Sequence, residues 1–319
     1  MITFSKVSKE YEGHKAVSSL DFTINEGEFF VLIGPSGCGK TTTLKMINRL
    51  IEASTGHIMI DEKDIYDYDI HQLRYEIGYV LQQIALFPHM TIEENISIVP
   101  ELKKWESEKV KGRVTELLEL VGLDPDQFRM RKPKELSGGQ QQRIGVARAL
   151  AADPKLILMD EPFSALDPIT REKLQDDLLD LKQRIKKTIV FVTHDISEAM
   201  KLGDRIAVMN EGAIVQVGTP QELIQSPAKT FVEDFIGLKK KTEYIDLIEI
   251  LQRKPEGGHF TEDQIIPSSI SLEDLLLKLA IYESLLINEE GKELGMIDRK
   301  TVIAYLADRM SSQRSLAHE

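Results

Sequence analysis

Residues 34–41 read Gly-Pro-Ser-Gly-Cys-Gly-Lys-Thr, which fits the spacing G-x-x-x-x-G-K-[ST] at Gly34, Gly39, Lys40 and Thr41. Glycines Gly34, Gly37 and Gly39 let backbone N–H groups turn inward on an anion, and a helix start adds partial positive charge. Lys40 supplies an ammonium for β- and γ-phosphate oxygens. Thr41 supplies a hydroxyl for magnesium, a hard cation that prefers oxygen. Pro35, Ser36, Cys38 and Thr42 complete a loop read as the phosphate cradle of a nucleotide, which implies ATP and Mg²⁺ as ligands.

Residues 136–140, Leu-Ser-Gly-Gly-Gln, open a run with helical spacing through Arg143, Ala147 and Leu150. Ser137 is a natural N-cap, and Gly138 and Gly139, followed by Gln140, leave amides bare toward an anion. One cradle is already complete, so this second anion site needs another phosphate. The economical source is the γ-phosphate held by a second copy bound head to tail.

Asp160 ends an apolar strand, where a carboxylate can hold the magnesium ion through water. Glu161 follows it, points elsewhere, and suits a general base for an attacking water. His194 follows another buried strand and can contact the γ-phosphate and orient that water; the alternative is a structural histidine. Gln82 follows Gly-Tyr-Val-Leu, where its amide can reach magnesium or water, although Gln82 and Gln83 also read as surface polar residues. Asp167, in Ser164-Ala165-Leu166-Asp167, is read as part of the nucleotide site bridging two copies, or else as a plain N-cap turn. Tyr11, placed in a loop, can stack on adenine or simply pack.

Several elements must position these groups. Phe29–Ile33, Lys155–Met159 and Thr188–Thr193 are apolar runs that read as buried strands. Residues 1–30 and 56–82 alternate polar and apolar, with turns at Glu12-Gly13 and Glu26-Gly27, as short strands do. Helices are expected from Thr41 to Leu50, over much of 91–121, from Arg171 to Lys186, and from Ile196 to Leu202. Ile206–Met209 and Ala213–Val217 form a terminal hairpin. Strands alternating with helices predict a parallel α/β sheet, interrupted by a helical insertion at about 87–150.

The 319-residue chain carries a net charge of −12, which disfavours a nucleic-acid partner. No run of about 18 apolar residues exists to span a bilayer. The polar start is unlike a signal peptide, and Cys38, the single cysteine, cannot pair internally. These features point to the cytosol. Within the loop Cys38 reads as a small filler, with a redox role as the alternative.

Together these motifs, in this order, resemble the ATP-binding cassette (ABC) ATPases over about residues 1–237. More narrowly, the segments 45–52 (KMINRLIE), 79–96 (YVLQQIALFPHMTIEENI), 135–171 and 231–237 (FVEDFIG) are similar to importer subunits for quaternary amines such as glycine betaine, carnitine and choline. The resemblance implies a P-loop cassette with a RecA-like core, an antiparallel β subdomain and a helical subdomain. It implies two cassettes closing on two ATP molecules, at the cytoplasmic face of the cell membrane. They would pull on integral-membrane permease subunits through the segment holding Phe87, Pro88 and His89, and serve a substrate-binding protein indirectly. Other type I importers, for methionine or a sugar, and a soluble non-transport ABC ATPase are the alternatives.

The basic run Lys239–Lys241 marks a boundary, giving domains 1–237 and 238–319. In the tail, Thr242–Gln252 reads as a helix, Pro255–Gly258 as a breaker, and Ser271 with Asp274 as a capping box. Residues 285–306 resemble the strand–strand–helix half of a CBS module, so the tail is expected to be a small α+β domain like a shortened CBS module, with a regulatory or dimerisation role.

Overall fold

The computed structural model describes residues 1–83, 85–164 and 166–237, and in the tail 247–252, 260–268, 270, 272–289 and 292–305. The chain divides into two compact units, Met1–Ile236 and Gly237–Glu319.

Among its described residues the first unit holds ten strands: β1 Ile2–Tyr11, β2 His14–Ile24, β3 Phe29–Ile33, β4 Thr55–Ile60, β5 Lys63–Asp64, β6 Ile77–Val80, β7 Leu156–Asp160, β8 Thr188–Thr193, β9 Arg205–Asn210 and β10 Ala213–Gly218. They build two sheets, an antiparallel one ordered β2-β1-β4-β5 and a six-stranded one ordered β10-β9-β3-β8-β7-β6. In the larger sheet every pairing from β9 to β6 is parallel, and only the β9–β10 hairpin is antiparallel. Strands β3, β7 and β8 are buried at every residue, as strands covered on both faces must be.

Alternation along these strands divides the core in two. Phe29, Val31, Met159, Ile189, Phe191 and Val208 join one cluster with Leu117, Ile144 and Ala147 of the helical insertion. Phe30, Leu32, Leu158, Val190, Val192 and Met209 join the other with Leu44, Met46 and Ile47. A period-two side-chain direction thus separates two layers of helices.

The insertion contains helices Ile92–Leu102, Ser107–Leu120, Pro125–Phe128 and Gly138–Leu150. Two expectations need correction. The helix Pro168–Ile185 starts three residues before Arg171, because Asp167 caps it and Pro168 tolerates its first position. Between β5 and β6 a short helix, Ile70–Tyr75, capped by Asp69, interrupts the alternating stretch 56–82.

In the second unit β11 (Ile265–Ile266) runs parallel to β12 (Ser284–Glu289), which pairs antiparallel with β13 (Lys292–Asp298). The helix Leu272–Ile281 connects β11 to β12, and a helix at 299–305 follows β13. Leu275, Leu279, Leu285, Ile287, Ile297 and Val302 share its core. In the expected helix Thr242–Gln252, the described part is a single turn at Leu247–Ile250 followed by a bridge from Gln252 to Met296. The Lys239–Lys241 boundary, the Pro255–Gly258 breaker and Ser271 of the capping box lie outside the described residues.

Candidate active site

Parallel register sets the site. Ile33 pairs with Thr193, and Val192 with Asp160, so the carboxyl ends of β3, β8 and β7 lie side by side. Gly34, His194 and Glu161 therefore leave the sheet at one edge, where ligands of open α/β sheets bind.

The loop after β3 admits nothing larger than glycine at two places. A Cβ on Gly34 would lie 2.3 Å from the Met209 carbonyl oxygen, and one on Gly39, at φ +100°, 2.6 Å from that of Ala16. Lys40 is 5% exposed, and its Nζ donates to the carbonyls of Gly34 (2.8 Å) and Pro35 (3.0 Å). Ser36 and Gly37 are exposed at the loop tip, while Thr41 and Thr42 are half-buried. Cys38 is buried; burial pushes its thiol up in pKa, against the smaller opposing pull of Lys40. Its carbonyl accepts from the Gly212 N–H (3.2 Å), so it pins the loop to the β9–β10 turn.

Asp160 is 3% exposed and collects donors. Thr41 Oγ1 donates to Oδ1 (2.8 Å), Tyr79 OH donates to Oδ2 (3.3 Å), and Lys45 Nζ lies 3.8 Å from Oδ2. Burial, and then the neighbouring carboxylate, push the Tyr79 phenol well up, so it stays a donor. Thr41, Asp160 and the Gln82 amide offer oxygen ligands only, which fits magnesium.

Glu161 adopts φ +44°, a left-handed conformation rare for a residue with a Cβ, held by its N–H donating to the Val192 carbonyl (3.0 Å). The twist carries its carboxylate away from Asp160. Its Oε2 accepts from Gln82 Nε2 (3.3 Å) and lies 3.2 Å from His194 Nδ1. Gln82, Glu161 and His194 thus converge, next to Thr41 and Asp160.

The Leu-Ser-Gly-Gly-Gln segment lies elsewhere. Ser137 caps Gly138–Leu150 through a reciprocal pair: its Oγ accepts from Gln140 N (3.3 Å), and Gln140 Oε1 accepts from Ser137 N (2.9 Å). Ser137 and Gly138 are exposed, and the Gly138 and Gly139 amides have no partner among the described residues. This helix packs in the cluster on one face of the sheet, and the Lys40–Ile47 helix in the cluster on the other. One chain does not bring the two anion sites together.

Asp167 accepts from Thr170 N (3.0 Å) as the cap of its own helix, and Thr170 holds its carboxyl below the usual range. Ser164 Oγ donates to the Glu161 carbonyl (3.0 Å), while Ala165 lies outside the described residues. Tyr11 is not in a loop. It ends β1 opposite His14, because the hairpin runs to the Glu12-Gly13 turn, and its ring lies under Lys9 Nζ at 4.8 Å.

Sequence reasoning missed Lys45, Tyr79, Asn95 and Arg148. Lys45 had a signal, one helical turn beyond Thr41. Tyr79 had none, since its reach to Asp160 depends on β6 pairing with β7. Asn95 is fully buried. Its amide donates to the carbonyls of Phe87 (3.2 Å), Met90 (3.3 Å) and Thr91 (2.9 Å) and accepts from Phe87 N (2.8 Å), fixing the segment after Gln82. Arg148 Nη1 donates to the Ala85 carbonyl at 2.5 Å.

The ABC transporter family model matches residues 17–164. The chain is 61% identical over 241 residues to the glycine betaine/carnitine/choline transport ATP-binding protein OpuCA of Bacillus subtilis, spanning 75% of this chain and 63% of that one. It is 52% identical over 304 residues to the carnitine transport ATP-binding protein OpuCA of Listeria monocytogenes, covering 93% and 75%. It is 48% identical over 299 residues to the osmoprotectant import ATP-binding protein OsmV of Salmonella typhimurium, covering 94% and 78%. Among solved structures, the dimeric post-hydrolysis form of the ATP-binding cassette MJ0796, bound to ADP and Pi, superposes with a TM-score of 0.62 at 36% identity, over 69% of this chain and 99% of that one.

Proposed function

The chain belongs to the ABC transporter family, and from that premise we propose that it is the ATP-hydrolysing subunit of an importer for a quaternary amine osmoprotectant. The observation that carries the engine of this reading is the separation of the two anion-binding segments onto opposite faces of one sheet. A second copy, turned head to tail, resolves that separation by bringing its Gly138 and Gly139 amides to the phosphate gripped by the first.

In this reading the triphosphate enters the loop at Gly34–Thr42, and Lys40 exchanges two backbone carbonyls for phosphate oxygens. Thr41, Asp160 and Gln82 would hold Mg²⁺, which when bound neutralises charge on the phosphates. Glu161 takes the proton of the attacking water, and His194, already beside that carboxylate, orients the water and the γ-phosphate. Ser137 and Gln140 keep the partner's helix start in shape, with Asp167 and Tyr11 at the margins of the nucleotide.

Among the described residues no helix is long and apolar enough to cross a membrane. In this reading the work is passed to separate integral-membrane permease subunits at the cytoplasmic face. Phe87, half exposed and anchored by Asn95, would take up that contact with Pro88 and His89. A substrate-binding protein acts only indirectly, through the permease, and the acidic charge gives nucleic acid no role. The similarity to OpuCA and OsmV supports the choice of solute class. The tail's strand–helix–strand–strand order, closed by a helix at 299–305, supports a shortened CBS-like domain with a regulatory or dimerising role.

Glu161→Gln tests the proposal. It should retain ATP binding, lose roughly 10²–10⁴-fold in turnover, and accumulate as an ATP-bound dimer in sedimentation velocity. A variant that stays monomeric with saturating MgATP would refute head-to-tail closure.

A further inference from the structure

Glu198 is a carboxylate that the hydrolytic reading leaves without a task. It is 4% exposed, in the helix Ile196–Leu202 that follows His194. Burial raises its pKa, which makes its position costly unless neighbours compensate. Three residues on two elements supply those neighbours. Thr193 Oγ1, itself buried, donates to Glu198 Oε2 at 2.6 Å. Gln175 Nε2, from the helix Pro168–Ile185, reaches Oε1 at 3.4 Å. Arg171, one turn earlier on that helix, places Nε 4.0 Å from Oε1 and Nη1 3.9 Å from Asp195.

The same hydroxyl of Thr193 accepts from Asp195 N (2.9 Å), and Asp195 Oδ1 accepts from Glu198 N (3.1 Å). His194 stands between these two tied residues, so its backbone is fixed from both sides. At the other end Arg171 Nη2 donates to the Leu166 carbonyl (3.1 Å), in the turn that follows Glu161. Arg171 Nε is buried and has no hydrogen-bond partner among the described residues. A guanidinium with one filled end and one unfilled donor facing a buried carboxylate has a second position available to it. Glu161, Ser164, Arg171 and His194 line one small cleft, so movement of the turn and of the histidine meet in the same space.

We propose that Arg171, Glu198 and Thr193 form a positioning relay that carries contact at the Ser164–Asp167 turn to the ring of His194. It rests on the reading that this turn meets a second copy when two ATP molecules are held. Contact shifts the Leu166 carbonyl, Arg171 follows and closes its Nε on Glu198 Oε1, and the Thr193 hydroxyl passes the change to the His194 backbone. None of the three residues touches the nucleotide; each acts through the histidine.

Steady-state ATPase kinetics and ATP-induced dimerisation of the full chain, wild type beside Glu198→Ala, Glu198→Gln, Arg171→Met and the Arg171→Met/Glu198→Ala double variant, test the relay. Misplacing His194 should cost roughly 10- to 100-fold in kcat, with the KM for ATP and the dimer yield held within about twofold of wild type. Glu198→Gln has a single accepting oxygen, which can serve Thr193 or Arg171 Nε but not both, so it should recover only part of the loss. The double variant should be no slower than the slower single one, since the two residues serve one path. Wild-type kcat in Glu198→Ala and in Arg171→Met overturns the relay, and so do multiplying losses in the double variant. Should Glu198→Ala fail to fold, the more exposed Arg171→Met decides alone: a lower kcat at constant KM supports the relay, and unchanged kcat overturns it. A wild-type chain that does not hydrolyse ATP as a dimer refutes the parent reading instead, whereas an active wild type with indifferent variants refutes only the relay.

Discussion

The phosphate loop and the Ser137 helix start both offer backbone amides to an anion, yet their surroundings are opposite. The loop is anchored: Lys40 and Cys38 are buried, β9 presses on Gly34, and β2 presses on Gly39. Its lysine is satisfied by the loop's own carbonyls. The Ser137 start is exposed at Ser137 and Gly138 and capped by its own Gln140, with two glycine amides that have no partner among the described residues. A site that is finished within the chain can bind alone. A site that is finished only at its cap is built to meet something carried by another molecule.

Ser137→Arg attacks the open site. It should leave ATP affinity within about twofold but reduce turnover by roughly 10²–10³-fold, the scale of losing preorganised donors at developing charge. An assay of phosphate release checks it, and normal turnover would remove the helix start from the chemistry. Lys40→Ala attacks the closed site. Losing charge-assisted hydrogen bonds, at about 1.5–3 kcal/mol each, should weaken ATP binding by roughly 10²-fold in a fluorescent-nucleotide titration. Wild-type affinity would mean that the cradle is elsewhere.

The smallest effect sharpens the contrast in burial. The Cys38 thiol is raised above its ordinary pKa by burial, so less thiolate is present at pH 8 than for a free cysteine. Labelling by a maleimide should be slow in the folded chain, quicken as pH rises from about 8 to 10, and become fast on unfolding. Prompt labelling at pH 7 would show that the loop opens freely.

Much of this is legible in the sequence. Phe29–Ile33 and Thr188–Thr193 are continuous apolar runs, and they are the buried parallel strands they read as. The cap at Ser137 follows from residue type and spacing, for a cap is a local hydrogen bond. Tyr11 is the opposite case: whether a strand ends before or after a tyrosine depends on its cross-strand partner, here His14. The apolar face of the helix Pro168–Ile185 gives its period but not its first residue, which the cap at Asp167 sets.

Sequence alone determined which groups are present and their local geometry: the glycine loop, the serine cap, and adjacent carboxylates at a strand end. These depend on neighbours within about four residues, where chain connectivity fixes distance. Only the tertiary structure decided that Glu161 turns to Gln82 and His194 while Asp160 keeps Thr41 and Tyr79. It alone placed Lys40–Ile47 and Gly138–Leu150 on opposite faces of the sheet. Strand order and register decide such pairings, and both are set by how long-range segments pack, which no local pattern encodes.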